Sequence, residues 1–346
     1  MRSVSYLVLY FVLVVLLPAC SSIQFLNIET YRPAEITFPN TGTVLIVNNA
    51  VPQPSDTGYE YIIFDIKQDT ARALADSALF EACYSLGEAI METGYFGDVL
   101  LFHESVRKDK NSLLDERMSL ETINALCEET GANAIISIDK LLFEMKKEVS
   151  LVFQTQIQGR VDVKINGVMR AYVPNRENAL ATVLLQDSIY WLEYVHSIED
   201  LDYYIPDPDV ALRAAGKYIG AIASPNFVPV WQSESRWYYT GGSADWKRAT
   251  AYINADKWEQ ANNIWNGIFE NSKREMERAR AASNMALHLE LKNEFRKAYE
   301  WATKAAALFK EKDGETGDDY KRLSLYASTL IERIRDDKRL NIQIDK

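Results

Sequence analysis

The residue types that most often catalyse reactions or bind metals are present in this sequence, but few of them have the spacing that a catalytic or metal site requires. His103, His196 and His288 lie far apart in the 346-residue chain, and none has a partner at metal-ligand spacing. The sequence contains no Gly-Lys-Ser/Thr phosphate loop, no Gly-x-Ser-x-Gly turn and no His-Glu-x-x-His helix. We therefore expect no catalytic residues, no metal and no cofactor, and hence a protein that is not an enzyme.

Aromatic residues form the densest group of side chains suited to recognition. Five lie within sixteen residues: Trp231, Trp237, Tyr238, Tyr239 and Trp246. Rings grouped in this way can stack on sugars or insert into a partner protein. They can also pack two domains together, and their place between two regions of different pattern favours this interpretation. Glycan binding remains the alternative.

One cysteine, Cys20, has a setting that specifies its chemistry. Arg2 precedes about fourteen uncharged, mostly apolar residues, which end in the sequence Leu-Pro-Ala-Cys at 17–20. This arrangement resembles the signal peptides of bacterial lipoproteins. The resemblance implies removal of residues 1–19 and attachment of lipid chains to Cys20, and two or more chains anchor a protein stably. An ordinary secretory peptide with an incidental cysteine, or an uncleaved anchor, are the alternatives.

Charge is distributed unevenly between the two parts of the mature chain. The formal net charge is −14 over residues 20–240 and +2 over residues 241–346. An acidic body repels nucleic acid and anionic lipid headgroups. We therefore expect neither of them to be the main partner.

Cys83 and Cys127 are the other two cysteines, and each has apolar neighbours at helical spacing. The sequence favours two buried thiols over a disulfide, which an oxidising compartment would permit. Neither cysteine has a histidine or a second cysteine at metal-ligand spacing, so we expect no metal site at either of them.

The pattern of apolar and polar residues over 43–240 predicts an α/β domain with a mixed sheet. Residues 43–49 form an apolar run typical of a buried strand, and the chain then alternates helix and strand patterns as far as residue 142. Further predicted elements are helices over 71–93 (capped by Asp69 or Thr70 and ended by Gly94) and 119–130, and strands over 98–103, 133–142, 150–158, 160–173 and 179–194. Asn166-Gly167 is predicted as a tight turn, Asp207-Pro208 as a helix start, and residues 20–42 as a tether.

From residue 243 onward the pattern is helical, after a predicted boundary at Gly241-Gly242. An alanine lies twelve residues before a second alanine in the pairs Ala249/Ala261 and Ala286/Ala298, which are offset by 37 residues. This resembles tetratricopeptide repeats, helix-turn-helix units of about 34 residues in which small residues let the helices approach closely. The resemblance implies an all-α tetratricopeptide-like domain over residues 241–346.

As a whole the chain resembles a family of Bacteroidota outer-membrane lipoproteins that have an α/β domain followed by helical repeats. The resemblance implies an outer-membrane address. Ser21 is not the aspartate associated with inner-membrane retention, and the first acidic residue after Cys20 is Glu29. We therefore expect the periplasmic face. The predicted function is a membrane-tethered adaptor for another envelope protein, with glycan or peptidoglycan binding through residues 231–246 as the alternative.

The lipoprotein interpretation predicts that Cys20→Ala will either release the protein from membrane pellets or leave an uncleaved precursor, because the acylated thiol would be missing. Fractionation and intact-mass measurement check this. An unmodified Cys20 in mature, membrane-bound protein would contradict it.

Overall fold

The chain forms two compact units in a computed structural model that describes residues 23–68, 72–153 and 156–344. The mixed-sheet unit contains the described residues of 32–230 together with 339–344. The helical-repeat unit contains residues 23–31 and 231–338. The fold class predicted from the sequence, a mixed-sheet region followed by an all-helical region, is confirmed.

Nine strands and nine α-helices make up the described residues. The strands are β1 (Ile23–Arg32), β2 (Thr43–Asn48), β3 (Tyr59–Ile63), β4 (Ile66–Gln68), β5 (Asp98–Phe102), β6 (Ala134–Val152), β7 (Gln156–Tyr172), β8 (Ala181–Val195) and β9 (Val230–Tyr239). The helices are α1 (Asp76–Thr93), α2 (Leu120–Thr130), α3 (Ile198–Tyr204), α4 (Pro208–Ala223), α5 (Ala244–Asn254), α6 (Trp258–Asn271), α7 (Glu275–Leu291), α8 (Phe295–Asp313) and α9 (Asp318–Ile344). Among these described helices, none is both long and apolar enough to cross a membrane.

The long strand β6 organises the mixed sheet. Its first residues pair in parallel with β2, which pairs in parallel with β5 on its other side. Its later residues pair in parallel with β3, and its opposite edge pairs with antiparallel β7, which continues to β8. The four residues 44–47 of β2 are at most 1% exposed, as their continuous apolar run predicts for a strand covered on both faces.

Helices cover both faces of the parallel part of this sheet. Helices α1 and α4 share the larger core with β2, β6 and β7, while α2 packs on the opposite face against Leu45 and Val47. The α1–α4 contact is close because α4 has a glycine at the crossing. A Cβ atom on Gly216 would lie 2.1 Å from the carbonyl oxygen of Ala78. Any larger residue there would force the helices apart.

Three local predictions in this unit need correction. The single strand predicted over 150–158 is wrong, because β6 ends at Val152 and β7 begins at Gln156, and the two strands pair with each other. Helix α1 begins at Asp76 rather than at residue 71, and the expected caps Asp69 and Thr70 lie outside the described residues. The predicted turn at Asn166-Gly167 is wrong, because both residues lie within β7 and pair with β6 and with β8. Cross-strand pairing along the whole of β7 outweighs the local turn preference of an Asn-Gly pair.

The prediction of a tether is also wrong for most of residues 20–42. Residues 23–32 form β1, which pairs with β9. Tyr31 packs against Trp231, and the Tyr238 hydroxyl hydrogen-bonds Gln24, so the strands run antiparallel. Pairing to a strand 200 residues away leaves no local signal in the sequence. Residues 36 and 38 are also buried, in the mixed-sheet core.

The helical-repeat unit has the predicted helix pairs and close-packed alanines. Ala249 is 1% exposed, and Ala261, Ala286 and Ala298 are fully buried. Its compact region begins at Trp231 rather than at the predicted boundary of 241. The difference arises because β9 packs with the helices that follow it.

Cys83 and Cys127 are both buried free thiols. Burial raises the pKa of Cys83 to about 12. A thiol with so high a pKa is almost entirely protonated at neutral pH and is a poor nucleophile.

The alanine packing predicts that Ala298→Leu will destabilise the helical-repeat unit by about 1–3 kcal/mol, since the added atoms must displace close-packed neighbours. Ala307→Leu on the same helix is the matched control because Ala307 is exposed. Thermal and urea unfolding followed by circular dichroism measure the difference. Equal stability of the two variants would contradict close packing at residue 298.

Candidate functional site

Strand β9 lies across helices α7 and α9. Helix α7 is the first helix of the second repeat, the one that contains Ala286 and Ala298, and α9 follows that repeat. We call the surface of α7 and α9 beneath β9 the first-helix face. The backbone N–H of Tyr239 donates to Asn284 Oδ1 of α7 at 2.7 Å, and Asn284 Nδ2 donates to the Tyr239 carbonyl oxygen at 2.8 Å. Asn284 is fully buried. One side-chain amide thus satisfies both backbone groups of a residue in an extended strand.

A buried ion pair fixes the same strand three residues earlier. Arg236 donates from Nε and Nη2 to the carboxylate of Glu290 on α7, at 2.9 and 2.8 Å. The Tyr326 hydroxyl of α9 donates to Glu290 at 2.7 Å, and Glu234 accepts a further bond from Arg236. Arg236 is 6% exposed and Glu290 is 2% exposed. Complete hydrogen bonding of this kind is what makes buried charges tolerable.

The pKa values of these groups follow from their setting. Burial lowers the pKa of Arg236, but the hydrogen bonds and negative charges of Glu290 and Glu234 together outweigh it, so the net direction is upward. Burial, and then the charge of Glu290, hold the pKa of Tyr326 well above its usual value. Arg236 therefore stays charged and Tyr326 stays neutral at any physiological pH, as this hydrogen-bond arrangement requires.

Aromatic rings complete the contact between β9 and the helices. Trp237 meets Tyr326 with ring centres 5.4 Å apart, and Tyr239 meets Phe309 at 5.8 Å. The first-helix face of α7 and α9 is thus occupied by the protein's own strand. In repeat proteins the extended surfaces that successive repeats form commonly bind partners.

The aromatic cluster predicted as a possible ligand platform does not form a single exposed surface. Tyr238, Tyr239 and Trp246 are between 1% and 4% exposed, and Trp237 is half-buried. Trp231 alone of the five is mostly exposed, at 67%. The four inner rings belong to the core of the helical-repeat unit, so their packing lies inside that unit.

Sequence reasoning missed Asn284, Arg236 and Glu290. Arg236 and Glu290 are 54 residues apart, a separation at which no local spacing rule applies. One signal was available in helix α7, whose residues 281–288 are apolar or small on all sides, apart from Ser283, Asn284 and His288. A helix without a polar face is buried, and polar residues within it need buried partners.

An open groove lies elsewhere on the helical-repeat unit, between the start of α8 and the later part of α9. Its volume is about 310 Å³, and its apolar floor includes Phe295 and Ile334. The Arg333 guanidinium lies 4.7 Å from the Phe295 ring centre. Arg296 and Lys338 at the rim are exposed. Lys297 also lines the groove and is paired with Glu294, and Asp337 lies beside Lys338. The groove therefore combines an apolar floor with a rim of three cationic and two anionic side chains.

A second buried polar cluster, in the mixed-sheet unit, surrounds Asp139. This residue lies at a register irregularity of β6 and is fully buried. Its carboxylate accepts bonds from Arg170 at 2.5 Å and Tyr172 at 3.2 Å, and also from Asn49 and Ser137. Arg170 in turn holds Asp115 in the segment before α2. The carboxylate is fully occupied by internal donors, which fits a structural role.

The three histidines do not come together in the structure. His103 and His196 are exposed, whereas His288 is buried in α7 beside Glu259. Within the described ranges, no group of three His, Cys, Asp or Glu side chains could hold a metal ion.

Comparison with known proteins gives family membership and no activity. Residues 41–239, more than half of the chain, match the family Domain of unknown function (DUF8603), so the chain belongs to that family. Residues 247–332 match a second family, Domain of unknown function (DUF6340). No curated protein matches the chain.

One solved structure with a partial match is a neuraminyllactose-binding hemagglutinin homolog from Helicobacter pylori. It is 12% identical, with a TM-score of 0.25, over 55% of this chain and 84% of that chain. A TM-score this low carries no argument about this protein.

The positions of the rings predict opposite outcomes for two tryptophans. Trp246→Ala should destabilise the helical-repeat unit by about 3–5 kcal/mol, because it leaves a cavity beside Gly241. Trp231→Ala, the matched control, should change stability by less than about 0.5 kcal/mol. Urea unfolding measures both. An unchanged urea midpoint in Trp246→Ala would contradict its place in the core.

Proposed function

We propose that this protein is a lipid-anchored adaptor of the bacterial cell envelope, in which the helical-repeat unit binds another envelope protein. The observation that carries the proposal is the open groove at Phe295 and Ile334 on a closely packed helical scaffold. The proposed location is the periplasmic face of the outer membrane.

The spacing between the proposed anchor and the first strand supports this arrangement. Cys20 lies outside the described residues, but it precedes Ile23, the first residue of β1, by only three positions. Three residues of extended chain span at most about 10 Å. A lipid on Cys20 would therefore attach within about 10 Å of β1, which belongs to the helical-repeat unit.

Rigidity of the scaffold supports a positioning role. The buried alanines allow the paired helices to pack closely, and the Arg236–Glu290 ion pair fixes β9 on α7. A surface on such a scaffold keeps its geometry when it binds, which reduces the entropy lost on association.

The groove also indicates the chemistry of the partner. Phe295 and Ile334 would receive an apolar side chain. The three cationic side chains of the rim outnumber its two carboxylates, one of which is already paired with Lys297, so the rim would favour acidic groups beside that side chain. We therefore propose that the partner presents a segment with an apolar anchor residue and flanking carboxylates.

A photoreactive amino acid at Lys338 tests the proposal in intact cells. It should trap one envelope protein, and Arg296→Glu should weaken that capture about tenfold, since reversing a rim charge places like charges together. Lys312→Glu, an exposed lysine at the other end of α8, is the control and should leave capture unchanged. Capture unaffected by Arg296→Glu would exclude the groove as the binding surface.

Glycan binding through residues 231–246 receives no support from the ring positions. A platform for sugars needs adjacent exposed rings. Of the five predicted residues, Trp231 alone is mostly exposed, and its neighbour in the structure is the half-buried Tyr31.

A further inference from the structure

Strand β8 forms an edge of the mixed sheet. All fifteen of its residues, 181–195, pair with β7 in one unbroken antiparallel register. In the described ranges, β7 is the one strand that pairs with β8. The opposite edge of β8 therefore presents a row of backbone N–H and C=O groups that another strand could pair with.

The sequence of β8 lacks the usual features that keep such an edge from pairing. Native edge strands are short, bulged, or interrupted by proline or lysine. Residues 181–195 contain no proline, lysine or arginine, and the pairing with β7 shows no bulge. The two acidic residues are Asp187, which accepts a bond from the Tyr218 hydroxyl at 3.0 Å, and Glu193.

Both faces of β8 carry apolar side chains that the unit leaves partly uncovered. On one face Leu184 is 78% exposed, Tyr190 is 64% exposed and Tyr194 is 53% exposed. On the other face Val183, Ile189 and Trp191 pack at the margin of the larger core and are half-buried. A strand added alongside β8 would bury apolar surface on both faces of the sheet.

The strand is complementary to itself in one antiparallel register. Ser188 is the middle residue of 181–195, so a second copy centred on it pairs all fifteen residues. In this register Leu184 faces Leu192, Leu185 faces Trp191, Asp187 faces Ile189 and Val183 faces Glu193 of the second copy. No acidic residue faces another, whereas centring the pair on Asp187 would bring two carboxylates together, which is destabilising.

We infer that two copies of this chain associate through β8, antiparallel and centred on Ser188, to make one continuous sheet. The inference rests on the mixed-sheet unit alone and is independent of the lipid anchor and of the groove on the helical-repeat unit. A two-fold axis midway between the two Ser188 residues makes the interface isologous and closed, so that association stops at the dimer.

Disulfide trapping of the full chain in intact cells tests the inference. Paired residues of antiparallel strands have Cα atoms about 4.5–5.5 Å apart, a distance that a disulfide spans. Ser188→Cys should therefore give a crosslinked dimer under mild oxidation. Lys164→Cys is the matched control, because this exposed residue pairs with Ser188 one strand further from the edge. Its two copies would lie about 14 Å apart, three strand spacings, and should not crosslink.

A second substitution tests whether the edge itself makes the contact. Adding Leu184→Lys to Ser188→Cys should abolish the dimer, since a lysine at an edge opposes strand pairing. Leu151→Lys, at an exposed leucine of β6, should not. Absence of a dimer with Ser188→Cys, or equal yields from Ser188→Cys and Lys164→Cys, would overturn the inference. Buried Cys83 and Cys127 keep the background low.

Discussion

The buried pair of Arg236 and Glu290 is the interaction on which the helical-repeat unit depends most. A charge removed from water is tolerated only while its partner is present, and the loss of one partner typically costs about 3–5 kcal/mol. Here the pair joins β9 to α7, and Tyr326 extends the network to α9. The position of β9 is therefore set by electrostatics and hydrogen bonding as well as by aromatic packing. Because β9 carries β1 beside it, the same pair also determines where the first described residues of the chain lie.

The occupied first-helix face restricts where the proposed adaptor could bind a partner. The Asn284 amide bonds both the N–H and the C=O of Tyr239 in an extended strand. A repeat protein could hold the backbone of a bound peptide in the same way. Here the segment is part of the chain itself, so the proposed partner would have to bind another surface. The groove at Phe295 and the edge of β8 are two surfaces that the described structure leaves open, one on each unit.

The sequence predicts those features that depend on local pattern. The apolar run at 44–47 specifies a buried strand, and the twelve-residue spacing of Ala286 and Ala298 specifies a close helix pair. Gly94 and Gly131 end their helices in left-handed conformations, as expected from glycine after an apolar stripe.

The features that the sequence does not predict depend on distant partners. Residues 23–32 form a strand because they pair with β9. Asn166-Gly167 stays extended because β7 pairs with β6 on one side and with β8 on the other. The ion pair of Arg236 and Glu290 likewise joins two charged residues for which the sequence alone would predict solvent exposure. In each case, the tertiary contact outweighs the local preference.

Hydrogen exchange at the Tyr239 amide tests the central claim, that β9 is a fixed part of the helical-repeat unit. This N–H donates to fully buried Asn284. Native-state exchange as a function of denaturant should show it opening only when the whole unit unfolds, with the same free energy as the core amides of α7. Exchange of Tyr239 through a local opening several kcal/mol lower, with α7 still protected, would show that the strand leaves the helices readily and would contradict the account.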